Sequence, residues 1–80
     1  IIGKNCIINT SSIIEHNTKI GDNSHVAPGA IVLGHVKIGS NTFIGSGAVL
    51  KNGITIGSNC VIQAGSFIKK DLKSGTTIKK

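Results

Sequence analysis

The chain has 80 residues, of which 39% are hydrophobic and two are aromatic, with eleven glycines and one proline. This length allows one domain at most, and the hydrophobic content is too high for a disordered chain. The net charge of +6 comes from lysine alone. A nucleic-acid interface normally adds arginine and stacking aromatic rings, and a membrane span needs roughly 18 apolar residues in a row. We therefore expect a cytoplasmic protein with neither a nucleic-acid nor a membrane partner.

An aliphatic residue recurs at every sixth position, twelve times without exception, from Ile2 to Ile68. The residue four places after each is small or apolar, and the residue three places after is Asn or Gly in nine of the twelve cases. Asn and Gly are the residues that most easily take the positive φ of a tight turn. A helix of period 3.6 cannot produce this spacing. Each hexad therefore predicts a short strand followed by a turn.

A longer repeat lies above the hexads, because IGKN, IGDN, IGSN and IGSN begin 18 residues apart at Ile2, Ile20, Ile38 and Ile56. Three hexads therefore form one turn of a larger coil. The repeat predicts an all-β parallel β-helix of about four coils without insertion, in which residues 18 apart stack directly on one another.

The stacking divides the chain into three faces, A, B and C, named for the strands centred on Ile2, Ile8 and Ile14. The residue before each central aliphatic points outward. On face A this column is predicted to be Lys19, Lys37, Thr55 and Lys73; on face B Ile7, His25, Phe43 and Val61; and on face C Ile13, Ile31, Val49 and Phe67. Apolar outward columns on faces B and C are typical of an interface. They predict a homotrimer in which face B of one chain packs on face C of the next, or else covering by other parts of a longer chain.

Two of the three histidines are expected at the edges of that interface. His16 ends the strand on face C, and His25 begins the next strand on face B, so they face each other only between two chains, roughly 2.4 Å apart along the axis. His16 is a candidate general base. Gly34 stacks next to it, and its N–H could support an oxyanion. Asn52 and Lys70 continue the same column and are candidates for binding a long anionic cofactor.

The hexads resemble those of the hexapeptide acyltransferase superfamily, whose coil is left-handed. More narrowly, the segment INTSSIIEHNTKIGDNSHVAPGAIVLGHVKIG, residues 8–39, resembles the sugar O- and N-acetyltransferases of the sialic-acid and bacillosamine pathways. This resemblance implies transfer from acetyl-CoA to an amino or hydroxyl group of a sugar or nucleotide-sugar. It also implies His16 as general base and His25 in the acetyl-CoA site. Residues 1–73 would be the β-helix domain, and residues 74–80 would begin a C-terminal extension.

The resemblance is incomplete beside the base. Related proteins often carry an acid directly after it, where this chain has Asn17. Asn can orient an imidazole but adds no negative charge, and Glu15 on the outward side of the strand could compensate. His35 is predicted to be a turn residue. Because only His16 and His25 of a neighbour converge and zinc takes three or four ligands, we expect no metal.

The two cysteines, Cys6 and Cys60, fall in one inward column three coils apart, too far for a disulfide. They are expected to be small core residues in a reducing compartment. The chain contains no methionine, which leaves a second hypothesis open. In that hypothesis the chain is a catalytically inactive β-helix trimerisation fragment of a longer enzyme.

Overall fold

The computed structural model describes residues 1–79. They form twelve parallel strands of two residues each, in which the second residue points into the core. The strands are β1 (Ile7–Ile8), β2 (Ile13–Ile14), β3 (Lys19–Ile20), β4 (His25–Val26), β5 (Ile31–Val32), β6 (Lys37–Ile38), β7 (Phe43–Ile44), β8 (Val49–Leu50), β9 (Thr55–Ile56), β10 (Val61–Ile62), β11 (Phe67–Ile68) and β12 (Thr77–Ile78). No helix occurs among residues 1–79, and so none could cross a membrane there.

Successive strands lie in turn on the three faces. Strands of the same face pair with one another from one coil to the next. Face A contains β3, β6 and β9, extended by bridges at either end; face B contains β1, β4, β7, β10 and β12; and face C contains β2, β5, β8 and β11. His25 pairs with Ile7 on one side and with Phe43 on the other. The predicted parallel β-helix and its 18-residue columns are thereby confirmed for residues 1–68.

The core is a stack of aliphatic side chains closed by the three faces. Val26, Ile44 and Leu50 in its middle have no exposed surface, whereas Ile2 is 49% exposed because no coil covers it. Burying large aliphatic side chains supplies most of the stability of such a fold. The core is therefore complete at mid-height and open at its two ends.

The turns form three corners: A–B, B–C and C–A, each named for the faces it joins. Each corner except the shortened one at residues 69–71 places one residue at a positive φ, as the Asn and Gly pattern predicts. These residues are Asn5, Asn23, Asn41, Asn59 and Gly75 at the A–B corner, Ser11, Gly29, Gly47 and Gly65 at the B–C corner, and Asn17, His35 and Gly53 at the C–A corner.

A ladder of side-chain hydrogen bonds runs inside the A–B corner. The Oγ1 of Thr42 donates to the carbonyl of Gly57 at 2.8 Å and accepts from the N–H of Cys60 at 3.2 Å. Ser24 Oγ bonds in the same way to Gly39, one coil earlier. The thiols of Cys6 and Cys60 occupy the end positions of this ladder, and both are free. The inward column predicted for the cysteines is confirmed.

The register predicted for the last coil is wrong by two residues. Leu72, not residue 74, bridges to Ile56, and the Asp71 carboxylate accepts from the Thr55 N–H at 2.8 Å. The outward column of face A therefore continues from Thr55 to Asp71 rather than to Lys73. The C–A corner at residues 69–71 is two residues shorter than those above it. Residues 77–78, placed by the sequence in an extension, form β12 and pair with β10.

Candidate active site at the C–A corner

His16 lies at the first C–A corner, two residues beyond β2, with its side chain exposed. Its imidazole rests against Gly34 in the next coil. A Cβ added to Gly34 would lie 2.9 Å from Cε1 and 3.0 Å from Nε2 of His16, inside ordinary contact distance. The ring can therefore occupy this place only because residue 34 has no side chain, as the predicted column of His16 and Gly34 requires.

The N–H of Gly34 is a free donor, since no hydrogen bond within residues 1–79 uses it. Corresponding N–H groups at the A–B corner are bonded to the coil below. That of Lys4 donates to Asp22 Oδ1 at 2.8 Å, and that of Ser40 donates to Ser58 Oγ at 2.9 Å. At the C–A corner, Asn52 supplies no such bond to Gly34 in the described part of the chain. A backbone donor next to an imidazole suits a reaction that develops an oxyanion.

His35 follows Gly34 and contacts His16 directly. The two ring centroids are 5.1 Å apart with an interplanar angle of 88°, an edge-to-face pair. The His35 N–H donates to the His16 carbonyl at 3.0 Å, and its backbone has a φ of +60°. His35 is thus the turn residue that the sequence predicts. The contact with His16 is an additional feature, and its signal in the sequence was a histidine in a turn position that is Asn or Gly in nine of twelve hexads.

Asn17 and Glu15 flank His16 and are both exposed. Asn17 occupies the turn with a φ of +56°. The Glu15 N–H bonds to the Val32 carbonyl at 2.9 Å, which holds its backbone on face C. Neither side chain forms a hydrogen bond with His16 within residues 1–79. Their predicted support of the base is therefore not formed in the single chain.

His25 lies on another face, as the first residue of β4, and is half-buried. Its ring packs edge-on against Phe43 at a centroid distance of 5.1 Å. Its Nε2 atom is buried without a hydrogen-bond partner among the described residues. A buried polar atom without a hydrogen bond lowers the free energy of unfolding, so such atoms are rare in native proteins.

Asn52 and Lys70 are exposed further along the same corner. Asn52 lies next to Gly34, as predicted. Lys70 is displaced from the full register because the last corner is shortened, and it lines a cavity of about 400 Å³ at the open end of the core, together with Phe67 and Ile78. No cluster of three potential metal ligands occurs within residues 1–79.

The outward columns have the predicted polarity. Lys19, Lys37 and Thr55 on face A are exposed. Phe43 on face B is 38% exposed, and Phe67 on face C is 58% exposed. A single chain therefore carries two apolar faces that meet at the B–C corner.

Comparison with known proteins agrees with this architecture. Residues 1–34 and 35–70 match the family described as "Bacterial transferase hexapeptide (six repeats)". The hexapeptide repeats imply the left-handed form of the parallel β-helix. No curated protein sequence gave a significant match.

Several solved structures superpose on nearly the whole chain with a TM-score of 0.94. The acetyltransferase domain of PglB from Neisseria gonorrhoeae is 32% identical over 95% of this chain and 37% of its own, and it is also known in complex with acetyl coenzyme A. Perosamine N-acetyltransferase from Caulobacter crescentus, in complex with CoA and GDP-perosamine, is 32% identical over 95% and 36%. Serine acetyltransferase isoform 3 from Entamoeba histolytica is 26% identical over 99% and 32%. The chain thus spans about a third of the length of these proteins.

Proposed function

The chain belongs to the bacterial hexapeptide transferase family, and on that premise we propose that it carries the active site of an acetyl-CoA-dependent acetyltransferase. The acceptor would be an amino or hydroxyl group of a sugar or nucleotide-sugar. His16 would act as the general base, with Gly34 as the oxyanion donor. The observation that carries the proposal is the His16 ring resting on Gly34, whose N–H has no other partner within residues 1–79.

The reaction follows from these two groups. His16 takes the proton from the acceptor N–H or O–H while the acceptor's lone pair forms a bond to the thioester carbonyl carbon. The carbonyl electrons move onto oxygen, where the Gly34 N–H donates to the developing charge. When the intermediate collapses, the C–S bond breaks and the sulfur leaves with the electron pair. The thiolate then takes the proton from His16, so the base is restored.

A homotrimer would complete this site. Packing face B on face C of the next chain covers Phe43 and Phe67, and it brings His25 of one chain towards His16 of the other. The unpartnered Nε2 of His25 supports this arrangement, because a cofactor or a neighbouring chain can supply the missing bond. His25, Asn52 and Lys70 would then lie along the path of acetyl-CoA, with Lys70 towards its phosphates.

We infer that the acceptor belongs to the sugar class. This inference is supported by the resemblance of residues 8–39 to sugar acetyltransferases and by the likeness to an enzyme bound to GDP-perosamine. The likeness to a serine acetyltransferase makes the serine hydroxyl the principal competing acceptor. Two free cysteines support a cytoplasmic location.

The test is turnover by the full-length protein. Acetyl-CoA is offered with GDP-perosamine or L-serine, and release of the CoA thiol is followed. His16→Ala is expected to lower kcat by roughly 10²- to 10⁴-fold, the usual contribution of a general base. Calorimetric binding of acetyl-CoA should persist in this variant. Unchanged turnover in His16→Ala would remove the assignment of the base.

The other hypothesis, an inactive trimerisation module, is separated by the same calorimetry. A folded trimer that fails to bind acetyl-CoA would favour the module, since only the enzyme needs the cofactor path. Binding that is lost on mutation of Asn52 or Lys70, but not of Lys37 on face A, would favour the enzyme.

A further inference from the structure

We propose that His35 is a positioning residue for His16, holding the imidazole on Gly34 so that it meets the acceptor in one orientation; this inference rests on the proposed function. The two rings form an edge-to-face pair with centroids 5.1 Å apart and an interplanar angle of 88°. This is a preferred geometry for two aromatic rings.

His16 needs such a contact because its own surroundings leave it mobile. The side chain is exposed and makes no hydrogen bond within residues 1–79. An exposed side chain exchanges rotamers on a picosecond to nanosecond timescale. Gly34 contacts one side of the His16 ring but does not restrict its lateral movement. The ring of His35 is the group that restricts it from the side.

The backbone conformation of His35 also supports a role for its side chain. Among residues 1–79, twelve have a positive φ, and ten of them are Asn or Gly; the exceptions are Ser11 and His35. Asn17 and Gly53, directly above and below His35 in its corner, follow the rule. Gly and Asn adopt this conformation most readily, and His adopts it more readily than most other residues. A His in place of Asn or Gly at this turn therefore supports a use for its ring.

These facts predict opposite effects of one substitution on stability and on activity. His35→Asn places a residue suited to positive φ at the turn but removes the ring. We expect the melting temperature to stay the same or rise, kcat to fall roughly 10- to 100-fold, and the KM for acetyl-CoA to stay within about twofold. Ser11→Asn makes the corresponding change at the B–C corner, and it should also give the same or a higher melting temperature, which provides the comparison for the effect of the turn alone.

A rescue variant separates the ring from its proton chemistry. His35→Phe keeps an aromatic ring in contact with His16 but has no titratable nitrogen. The folded variant should therefore recover most of the kcat that His35→Asn loses. If His35→Asn retains full kcat, the proposal is overturned. It is also overturned if kcat falls only in proportion to a loss of folded protein.

A measurement that needs no acceptor distinguishes this failure from failure of the proposed function. Three-bond couplings of the His16 side chain report its rotamers by NMR. We expect one dominant χ1 rotamer in the wild type and averaging in His35→Asn. Identical couplings in the two proteins would overturn the positioning role even if neither GDP-perosamine nor L-serine is turned over. Absence of turnover with the expected couplings would instead count against the proposed function.

Discussion

Gly34→Ala is the substitution whose effects on folding and on chemistry should differ most. Gly34 does not have a positive φ, so its backbone accepts alanine. The new methyl would lie 2.9 Å from Cε1 of His16, about 0.5 Å inside the 3.4 Å at which ordinary contact begins. Because His16 is exposed, its ring can move away at little cost. Gly→Ala at a compatible site also gains about 0.4–1 kcal/mol through the unfolded chain, so we expect unfolding free energy within about 1 kcal/mol of the wild type.

Activity should respond much more strongly than stability. A displacement of about 0.5 Å, with a methyl group beside the Gly34 N–H, should lower kcat by roughly 10- to 100-fold, given that 1 Å of misplacement can cost 10². Thiol release from acetyl-CoA measures kcat, and urea denaturation measures stability.

Gly39→Ala is the matched control for this experiment. There the added Cβ would lie 2.7 Å from the carbonyl carbon of Gly57 and 2.5 Å from the Ser58 N. Backbone cannot move aside as an exposed ring can, so this variant should lose at least about 2 kcal/mol of stability. Full turnover by Gly34→Ala would refute the reasoning, because the His16 ring could then act from a different place.

Two further predictions concern the scaffold. Thr42→Val keeps the side-chain shape but leaves the Gly57 carbonyl and the Cys60 N–H without their partner; urea denaturation should show a loss of about 1–3 kcal/mol, and an unchanged midpoint would contradict a structural role for the ladder. Phe43→Asp puts a charge on apolar face B, and sedimentation should show the proposed trimer dissociating, whereas Lys37→Asp on face A should leave it assembled. A trimer that survives Phe43→Asp would place the interface elsewhere.

The fold could be predicted from the sequence because the repeat leaves little freedom. A six-residue period fixes strand and turn alternately, and an 18-residue period fixes which strands stack. The register predicted for residues 69–71 is wrong for a physical reason: Leu72 fits the small or apolar inward pattern even in the wrong register, so the twelve hexads look unbroken. The sequence does indicate the shift in register at the next hexad, because continuing the six-residue series from Ile68 would put Ser74 in the core. Leu72 and Ile78 restore the aliphatic spacing two residues earlier.

The site was predictable only in part. Stacking at 18-residue intervals places Gly34 next to His16, because that follows from the backbone alone. Side-chain directions do not follow from the period. The edge-to-face contact of His16 with His35 and the buried Nε2 of His25 therefore emerge only from the structure. Likewise, the free Gly34 N–H becomes apparent only beside the bonded N–H groups of the A–B corner.

The central claim is that two chains build one acetyl-transfer site. A crystal structure of the full-length protein with acetyl-CoA and the acceptor tests it most directly. We predict a trimer with acetyl-CoA between face C of one chain and face B of the next. The acceptor atom should lie within hydrogen-bond reach of His16, about 2.6–3.2 Å, with the thioester oxygen towards the Gly34 N–H and His25 contributed by the neighbour. Acetyl-CoA bound on a single chain away from His16 would contradict the account.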